Sequence, residues 1–363
     1  MERHVAKIFY SMSGEGRGHA ARVRTMVERL RPEHDLVLMA PDQAYDFLAP
    51  IYNNNAAAPN VEVRRIPGLR FYYTRGRLDL SKSIFRGLGF LAKLNGFARE
   101  MADTIRREEP NLVITDFEPI LPKAASKTDV PVVSLNHQDF LLAYDLSTLP
   151  RGLQWYAWMM GFVVKAHHVD HAETIVSSFF TSPLRPGWEN VTQVGPLLRK
   201  ELEEAKTSEG GYLLSYVRRS MPPEAIELLK SCDREVRVYG LGKQPDQGNL
   251  RFFDISEDGF VRDLAGCDAM VGAAGNQSLG EAIYLGKPVL ALPEESHHEQ
   301  MINSHFLRQM GVGDWQTIES FSKKHLASFI ERLAQFRQNL AHFRGQINGN
   351  PTALAAIQRH LPA

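Results

Sequence analysis

Short apolar runs rich in β-branched residues recur along the chain, each followed by apolar positions at helical spacing. Residues 5–11, 36–40, 61–66, 112–116, 132–136 and 175–178 form a first series. Such alternation predicts buried parallel strands separated by helices. The rhythm breaks at residues 194–199. A charged, apolar-poor stretch follows at 200–211 and predicts a hinge. A second series, at 212–217, 236–239, 250–255, 269–272 and 289–292, predicts a second, smaller doubly wound sheet. Residues 321–363 are helical in pattern and polar at their end. The expected organisation is an α/β protein with two parallel-sheet domains, 1–196 and 197–345. A helical tail, 346–363, is free to pack back on the first domain. Ligands of such sheets lie at the carboxyl ends of the strands, so two facing sheets predict one central cleft.

Composition narrows the picture only a little. A length of 363 residues suits two domains of ~150 residues. Lys+Arg and Asp+Glu are both 42, so overall charge does not point to nucleic acid. Cys232 and Cys267 form no Cys-x-x-Cys pair, which argues against a disulfide framework or zinc ribbon. The first residues run almost directly into a strand, without a signal-peptide pattern. The longest apolar run, residues 155–164, falls short of the ~20 residues a membrane-spanning helix needs. A cytoplasmic protein is the default expectation.

The most informative stretch runs from Gly272 to Pro293. A strand is expected to end near Gly272, and a helix to start near Ser278 after a glycine-rich turn. Gly272 and Gly275 would let backbone approach a ligand closely. The helix start would offer free N–H groups and the positive end of its dipole to a diphosphate. A plainer reading is a capping box between Ser278 and Glu281, common in any α/β protein. The polar cluster at 294–303 follows the next strand, where a cleft ligand would lie. Ile302, Phe306 and Met310 then recur at helical spacing.

Near the N-terminus, Gly14, Gly16 and Gly18 precede His19. No Lys-Ser/Thr follows, so this is not a Walker loop, and the spacing is a poor dinucleotide fingerprint. Two later strand exits carry polar groups: Asp116 and Glu118, then Asn136, His137 and Gln138. Such exits are where α/β enzymes place chemistry, but each group also serves as an ordinary strand-exit hydrogen bonder.

Residues 272–313 resemble the C-terminal domain of glycosyltransferase family 28, the MurG family. They resemble more closely a MurG-like group of bacterial and archaeal glycosyltransferases with the pattern Pro-x(3)-Gln-x-Glu-Gln-x(2)-Asn. Glu299, Gln300 and Asn303 match it, while His297 stands where Gln is usual. The glycine loop ending at His19 resembles the Gly-x-Gly-(Gly)-His turn of GT-B enzymes. This resemblance implies a GT-B fold of two Rossmann-like domains and transfer of a sugar from a nucleotide-sugar, UDP-linked by likeness, to a hydroxyl. The donor site would comprise Gly272, Gly275, Asn276, Gln277 and Ser278, with Gly275 and Ser278 lining the diphosphate, and Glu281 on the ribose. Glu299 and Gln300 would hold the sugar, and the loop around Ile255 the base. The family's second glycine-rich turn is missing at 214–220, so Ser215 or Arg218 would touch the diphosphate instead. A neutral imidazole with a pKa of ~6.5 suits a general base, so His19 is the first choice for it. Asp116 would orient His19 or act as base itself. Gly16, Glu118, His137 and Gln138 would line the acceptor. No metal and no cofactor is expected, the nucleotide-sugar being a substrate.

From Arg64 to Arg106, ten basic residues stand against three acidic ones, mixed with Ile84, Phe85, Leu88, Phe90 and Leu91. With Trp155, Tyr156, Trp158 and Phe162, they suggest a peripheral membrane enzyme with a lipid-linked or cell-envelope acceptor. A solvated charged face is the alternative. His167 and His171 lie four apart on an expected helix, but no further metal ligand is evident nearby. Two other functions stay open: a nucleotide-sugar 2-epimerase on the same fold, and a non-enzymatic nucleotide-sugar-binding regulator.

Overall fold

The computed structural model describes residues 5–14, 16–68, 73–74, 77–78, 80–167, 169–217, 222–254 and 256–362. In chain order the elements are β1 (Lys7–Met12), α1 (Gly16–Leu30), β2 (Asp35–Ala40), α2 (Asp42–Tyr52), β3 (Val61–Arg65), β4 (Tyr73–Thr74), β5 (Arg77–Leu78), α3 (Leu80–Glu108), β6 (Leu112–Asp116), α4 (Ile120–Ala125), β7 (Val132–Asn136), α5 (Phe140–Ala143), α6 (Arg151–His167), β8 (Glu173–Ser177) and β9 (Val191–Val194). They continue with α7 (Lys200–Glu203), β10 (Tyr212–Tyr216), α8 (Pro223–Lys230), β11 (Glu235–Tyr239), β12 (Leu250–Phe253), α9 (Glu257–Gly266), β13 (Ala269–Gly272), α10 (Asn276–Tyr284), β14 (Val289–Ala291), α11 (His298–Gln309), β15 (Gly313–Trp315), α12 (Lys323–Glu331), α13 (Leu333–Leu340) and α14 (Asn350–Gln358).

Among the described residues, the strands form two large sheets with parallel pairings. The first has seven strands in the order β3-β2-β1-β6-β7-β8-β9, and the second six in the order β12-β11-β10-β13-β14-β15. β1 is central: Tyr10 stands opposite Leu38 on one side and Ile114 on the other. Buried on both faces, such strands must be apolar throughout, as Ile8, Phe9 and Tyr10 are.

The sequence expectation missed two strands of the large sheets, β9 and β15, and the short pair β4 and β5. β9 has three half-buried residues out of four, as an edge strand does, and β15 is only three residues long. Neither makes an apolar run. The expected hinge at 200–211 is also more structured than expected. It begins with α7, whose Leu202 is fully buried, and Arg29 of α1 bonds Glu203 at 2.6 Å.

α14 returns to the first sheet. Its Ala353, Ala356 and Ile357 join one core with Ile8, Tyr10 and Val194. Burying Ile357 fully contributes ~1.5–3 kcal/mol. Asn350 fixes the entry: its Nδ2 donates to Leu198 O at 2.7 Å, and its Oδ1 accepts Leu198 N–H at 3.1 Å. Here two backbones nearly touch. A Cβ at Gly195 would stand 1.8 Å from the Ile347 carbonyl oxygen, and one at Gly349 would stand 2.1 Å from that of Gly195. Gly195→Ala and Gly349→Ala should each destabilise the protein by ~1–3 kcal/mol or more through overpacking. Urea unfolding measures this as a lowered midpoint, and an unchanged midpoint refutes the contact.

Candidate active site

Each sheet has one switch point, where successive crossovers leave in opposite directions. It lies between β1 and β6 in the first sheet and between β10 and β13 in the second. The exits of β1 and β6 bring His19 and Asp116 together, with His19 Nδ1 3.0 Å from Asp116 Oδ1. Arg22, one turn along α1, sets its Nε 3.0 Å from Oδ2 and a terminal nitrogen 2.5 Å from Oδ1. That nitrogen is also 3.1 Å from His19 Nδ1.

Asp116 is wholly buried and Arg22 nearly so. Burial alone raises the Asp116 carboxyl, but Arg22 and then His19 overcome it and hold it below the usual carboxylate range. Burial opposes the Arg22 charge as well, and Asp116, Tyr10 and Glu299 more than offset that. The tautomer of His19 that donates Nδ1–H to this carboxylate leaves its lone pair on Nε2, the nitrogen not tied to Asp116. Gly16 opens α1, three residues before His19.

The chain turns sharply after β6. Phe117 has φ 57°, in the left-handed region that non-glycine residues avoid. The turn swings Glu118 inward, so its carboxylate accepts Ile120 N–H at 2.6 Å and Leu121 N–H at 2.9 Å. Glu118 was expected at the acceptor. It instead closes the amino end of α4, and burial pushes its carboxyl up to about 7 against the pull of those amides.

His137 follows β7 and is buried. Its Nδ1–H donates to the Ser177 carbonyl at 3.1 Å, and the ring stacks on Phe140 with centroids 4.7 Å apart. Burial pushes it down to about 4, so it is neutral at ordinary pH. Gln138 beside it is half-buried, its amide oxygen without a partner.

In the second sheet, α10 starts at Asn276 rather than near Ser278. Gly275 is its N-cap, and no side chain closes its end. The bond from Leu279 N–H reaches Gly275 O at 3.0 Å, so the amides of Asn276, Gln277 and Ser278 have no partner within the helix. Ser278 Oγ donates back to Gly275 O at 3.1 Å, so the capping box is not formed. Gly275, Gln277 and Ser278 are partly exposed. The tip therefore presents free amides and positive potential at the seam between the sheets.

Several expected donor contacts have other partners. Asn276 Nδ2 donates to Ser177 O at 3.1 Å, and its Oδ1 accepts from Phe179 N–H at 3.1 Å and Ser178 Oγ at 3.4 Å. It fastens α10 to the exit of β8 instead of facing a donor. Glu281 is paired with Arg199 at 3.1 and 3.2 Å and accepts from Gln277 Nε2 at 3.1 Å, which engages the carboxylate expected on the ribose. Gln277 Nε2 also donates to Leu197 O at 2.8 Å. A Cβ at Gly272 would stand 2.5 Å from the Tyr216 carbonyl oxygen, so this glycine serves the pairing of β13 with β10. Ser215 is buried near the end of β10, and its hydroxyl has no partner. Ile255 and Arg218 lie outside the described residues.

The first turn of α11 faces the first sheet. The Glu299 charge acts on Arg22, His137 and Tyr156. Gln300 is buried with both amide atoms unpartnered. Two stacked pairs close the seam around them: Tyr156 on His298 at 4.2 Å, and Phe180 on Phe306 at 3.8 Å. Arg22 was missed in the sequence. Its signal was a lone arginine three residues after His19, between Ala20 and Val23 on the buried face of α1. Among the described residues, no group of three or more His, Cys, Asp or Glu side chains is placed to hold a metal. The side chain of His167 lies outside them.

The model of glycosyl transferase family 1 matches residues 6–334. An uncharacterized glycosyltransferase of Methanosarcina acetivorans is 26% identical over 85% of this chain and 82% of that protein. One from Methanosarcina mazei is 25% identical over 85% of each. Among solved structures, Arabidopsis thaliana UGT89C1 complexed with UDP-L-rhamnose superposes with a TM-score of 0.70 at 11% identity, covering 99% of this chain and 100% of that one. MurG of Acinetobacter baumannii superposes with a TM-score of 0.62 at 13% identity, covering 98% and 99%. At these identities the structural likenesses show the GT-B fold.

Arg22→Met leaves Asp116 as a buried charge without its main partner, and should cost ~3–5 kcal/mol, with Arg22→Lys costing less. Chemical denaturation measures both, and a loss below 1 kcal/mol for Arg22→Met would show that the pair is not held as described. Glu118 sets a pH window. Its carboxyl binds a proton more tightly folded than unfolded, so its contribution to stability is fully present below its ordinary value of 4.5 and is lost as pH rises through about 7. Glu118→Gln should lack this decline. Identical pH slopes for the two proteins between those limits would refute it.

Proposed function

The chain belongs to glycosyl transferase family 1, and from that premise we propose that it moves a sugar from a UDP-sugar to an acceptor hydroxyl. One juxtaposition carries the reading. The uncapped tip of α10 lies at the same seam as His19, whose Nδ1 is tied to an ionised Asp116. His19 Nε2 takes the acceptor's proton as its oxygen attacks the anomeric carbon. The new carbon–oxygen bond forms as the bond to the diphosphate breaks, with inversion at that carbon. Asp116 stabilises the imidazolium, and the proton passes on to solvent. The departing diphosphate gathers charge at the α10 amides, next to Ser278 and within reach of Ser215. This preorganised positive potential does the work a metal would otherwise do. Glu299 and Gln300 hold the sugar. A UDP-linked donor is supported by the structural relatives solved with UDP and with UDP-L-rhamnose. The closer kinship to MurG-type enzymes is supported by the match at Glu299, Gln300 and Asn303.

A lipid-linked acceptor, reached from a membrane surface, belongs to the same reading. On α6, Trp155, Trp158, Met159, Phe162 and Val163 form a solvent-facing stripe at helical spacing. The same helix carries Tyr156, which stacks on His298 beside Glu299. Side chains 69–88 of the basic stretch lie outside the described residues. Among the described residues, no helix is long and apolar enough to cross a membrane.

His19→Ala should lower transfer by ~10²–10⁴-fold while leaving UDP-sugar affinity intact. Undiminished transfer by this variant would falsify the assignment. Conversion of the sugar with release of UDP and no acceptor would replace it by an epimerase. No thermal shift of the wild type with any UDP-sugar would remove the donor altogether.

A further inference from the structure

One face of α10 is built onto the crossing that joins the two sheets. Gly280 lets the helix come close: a Cβ there would stand 2.7 Å from two carbons of Pro196. Gln277 and Glu281, one turn apart on α10, reach the same segment. Gln277 Nε2 donates to Leu197 O at 2.8 Å and to Glu281 Oε1 at 3.1 Å. Arg199 sets one terminal nitrogen across both oxygens of Glu281, at 3.1 and 3.2 Å. Three of the roughly four acceptor positions of this carboxylate are thus taken. The arginine is held in place from behind. Leu198 before it donates its N–H to Asn350 Oδ1 at 3.1 Å, and its carbonyl accepts from Asn350 Nδ2 at 2.7 Å and from Arg29 at 2.9 Å. Glu281 is buried, so drawing Arg199 away leaves a charge out of water with Gln277 alone, which is strongly unfavourable.

Glu281 follows Ser278 by three residues, about 4.5 Å along the helix. With a diphosphate on the α10 tip and the transferred sugar toward Glu299 and Gln300, the nucleoside runs the other way, back along α10 past this carboxylate. A free carboxylate there would accept from the ribose hydroxyls. We infer that Arg199 is a specificity-determining residue: by holding Glu281 it takes the carboxylate away from the ribose, and the site does not read the 2′-hydroxyl. The donor class then widens from ribonucleoside to 2′-deoxyribonucleoside diphosphate sugars. This role rests on the glycosyl-transfer reading, and it departs from the one that the sequence resemblance implied for Glu281. The physical reason is an asymmetry. A site built to bond a hydroxyl rejects the analogue lacking it steeply, because its own polar group is left bare. A site whose acceptor is already paired within the protein loses little when that hydroxyl is missing.

The test is calorimetric binding of UDP and 2′-deoxy-UDP to wild type, to Arg199→Met and to the double variant Arg199→Met/Glu281→Gln. The ratio of the two affinities is the readout, so effects of charge on the shared diphosphate cancel. Wild type should bind both nucleotides within about threefold of each other. Arg199→Met, which frees Glu281, should favour UDP by about tenfold or more, and the double variant should return to the wild-type ratio. A larger preference for UDP in wild type overturns the role of Arg199, because Glu281 then leaves the arginine for the ribose. A ratio in Arg199→Met no larger than that of wild type overturns it too, as does a preference that survives in the double variant. The wild-type arm stands even where Arg199→Met does not fold. Failure of wild type to bind UDP or any UDP-sugar overturns the transfer reading, and the specificity role with it.

Discussion

An ionised carboxylate wholly removed from water costs several kcal/mol even after the protein relaxes around it. Asp116 is such a group, and the surroundings of the first switch point follow from holding it there. The glycine-rich exit from β1 starts α1 early enough that residues 19 and 22 share the face above β6. Arg22 then takes both oxygens of the carboxylate, and His19 comes in beside it. The histidine ring is thus oriented by a pair that carries no net charge and is rigid because it is buried. The left-handed backbone at Phe117 completes the arrangement by separating two acids only two residues apart. One is sent to the switch point and the other beneath α4.

The second sheet meets this site through contacts that are mostly neutral. Asn276 joins the α10 tip to the exit of β8 by three hydrogen bonds, each worth ~1 kcal/mol net. Such bonds set a register more than they supply stability. The apolar weight lies elsewhere, in the Phe180–Phe306 stack and in α14 crossing back over the first sheet. Charge crosses the seam chiefly through Glu299, whose field reaches Arg22 and His137. The seam is therefore assembled from both halves: His19 and Asp116 come from the first, and the tip of α10 and the first turn of α11 from the second.

Most of the fold was legible because parallel strands buried on both faces leave uninterrupted apolar runs. β6 and β7 matched their expected limits for that reason, while β9, half-buried at an edge, left no run to read. His19 and Asp116 were legible because strand exits beside a switch point converge whatever the intervening sequence. The helix tip was legible as a place but not in its parts. Asn276, Glu281 and Gly272 are of the types a donor site uses, yet their partners are Ser177, Arg199 and Tyr216. A polar residue at a tip looks the same whether it meets a ligand or a neighbour nearly 100 positions away. Only the packing of the two sheets tells these apart, and local spacing carries no trace of it. Arg22 shows the converse, since a charged residue among buried helical positions is itself a sign that a buried partner exists.

Two histidines stand at one seam in different surroundings. His19 is partly open to solvent, with 15% of its side chain exposed, and has a carboxylate at Nδ1. His137 has a carbonyl at Nδ1, an aromatic ring against its face and no acid bonded to it. A proton arriving at His137 would make a buried cation whose burial outweighs the pull of Glu299, so that ring stays neutral. The same side chain thus meets a carboxylate at one strand exit and a carbonyl at another. What separates the two is a carboxylate placed on one and a carbonyl placed on the other.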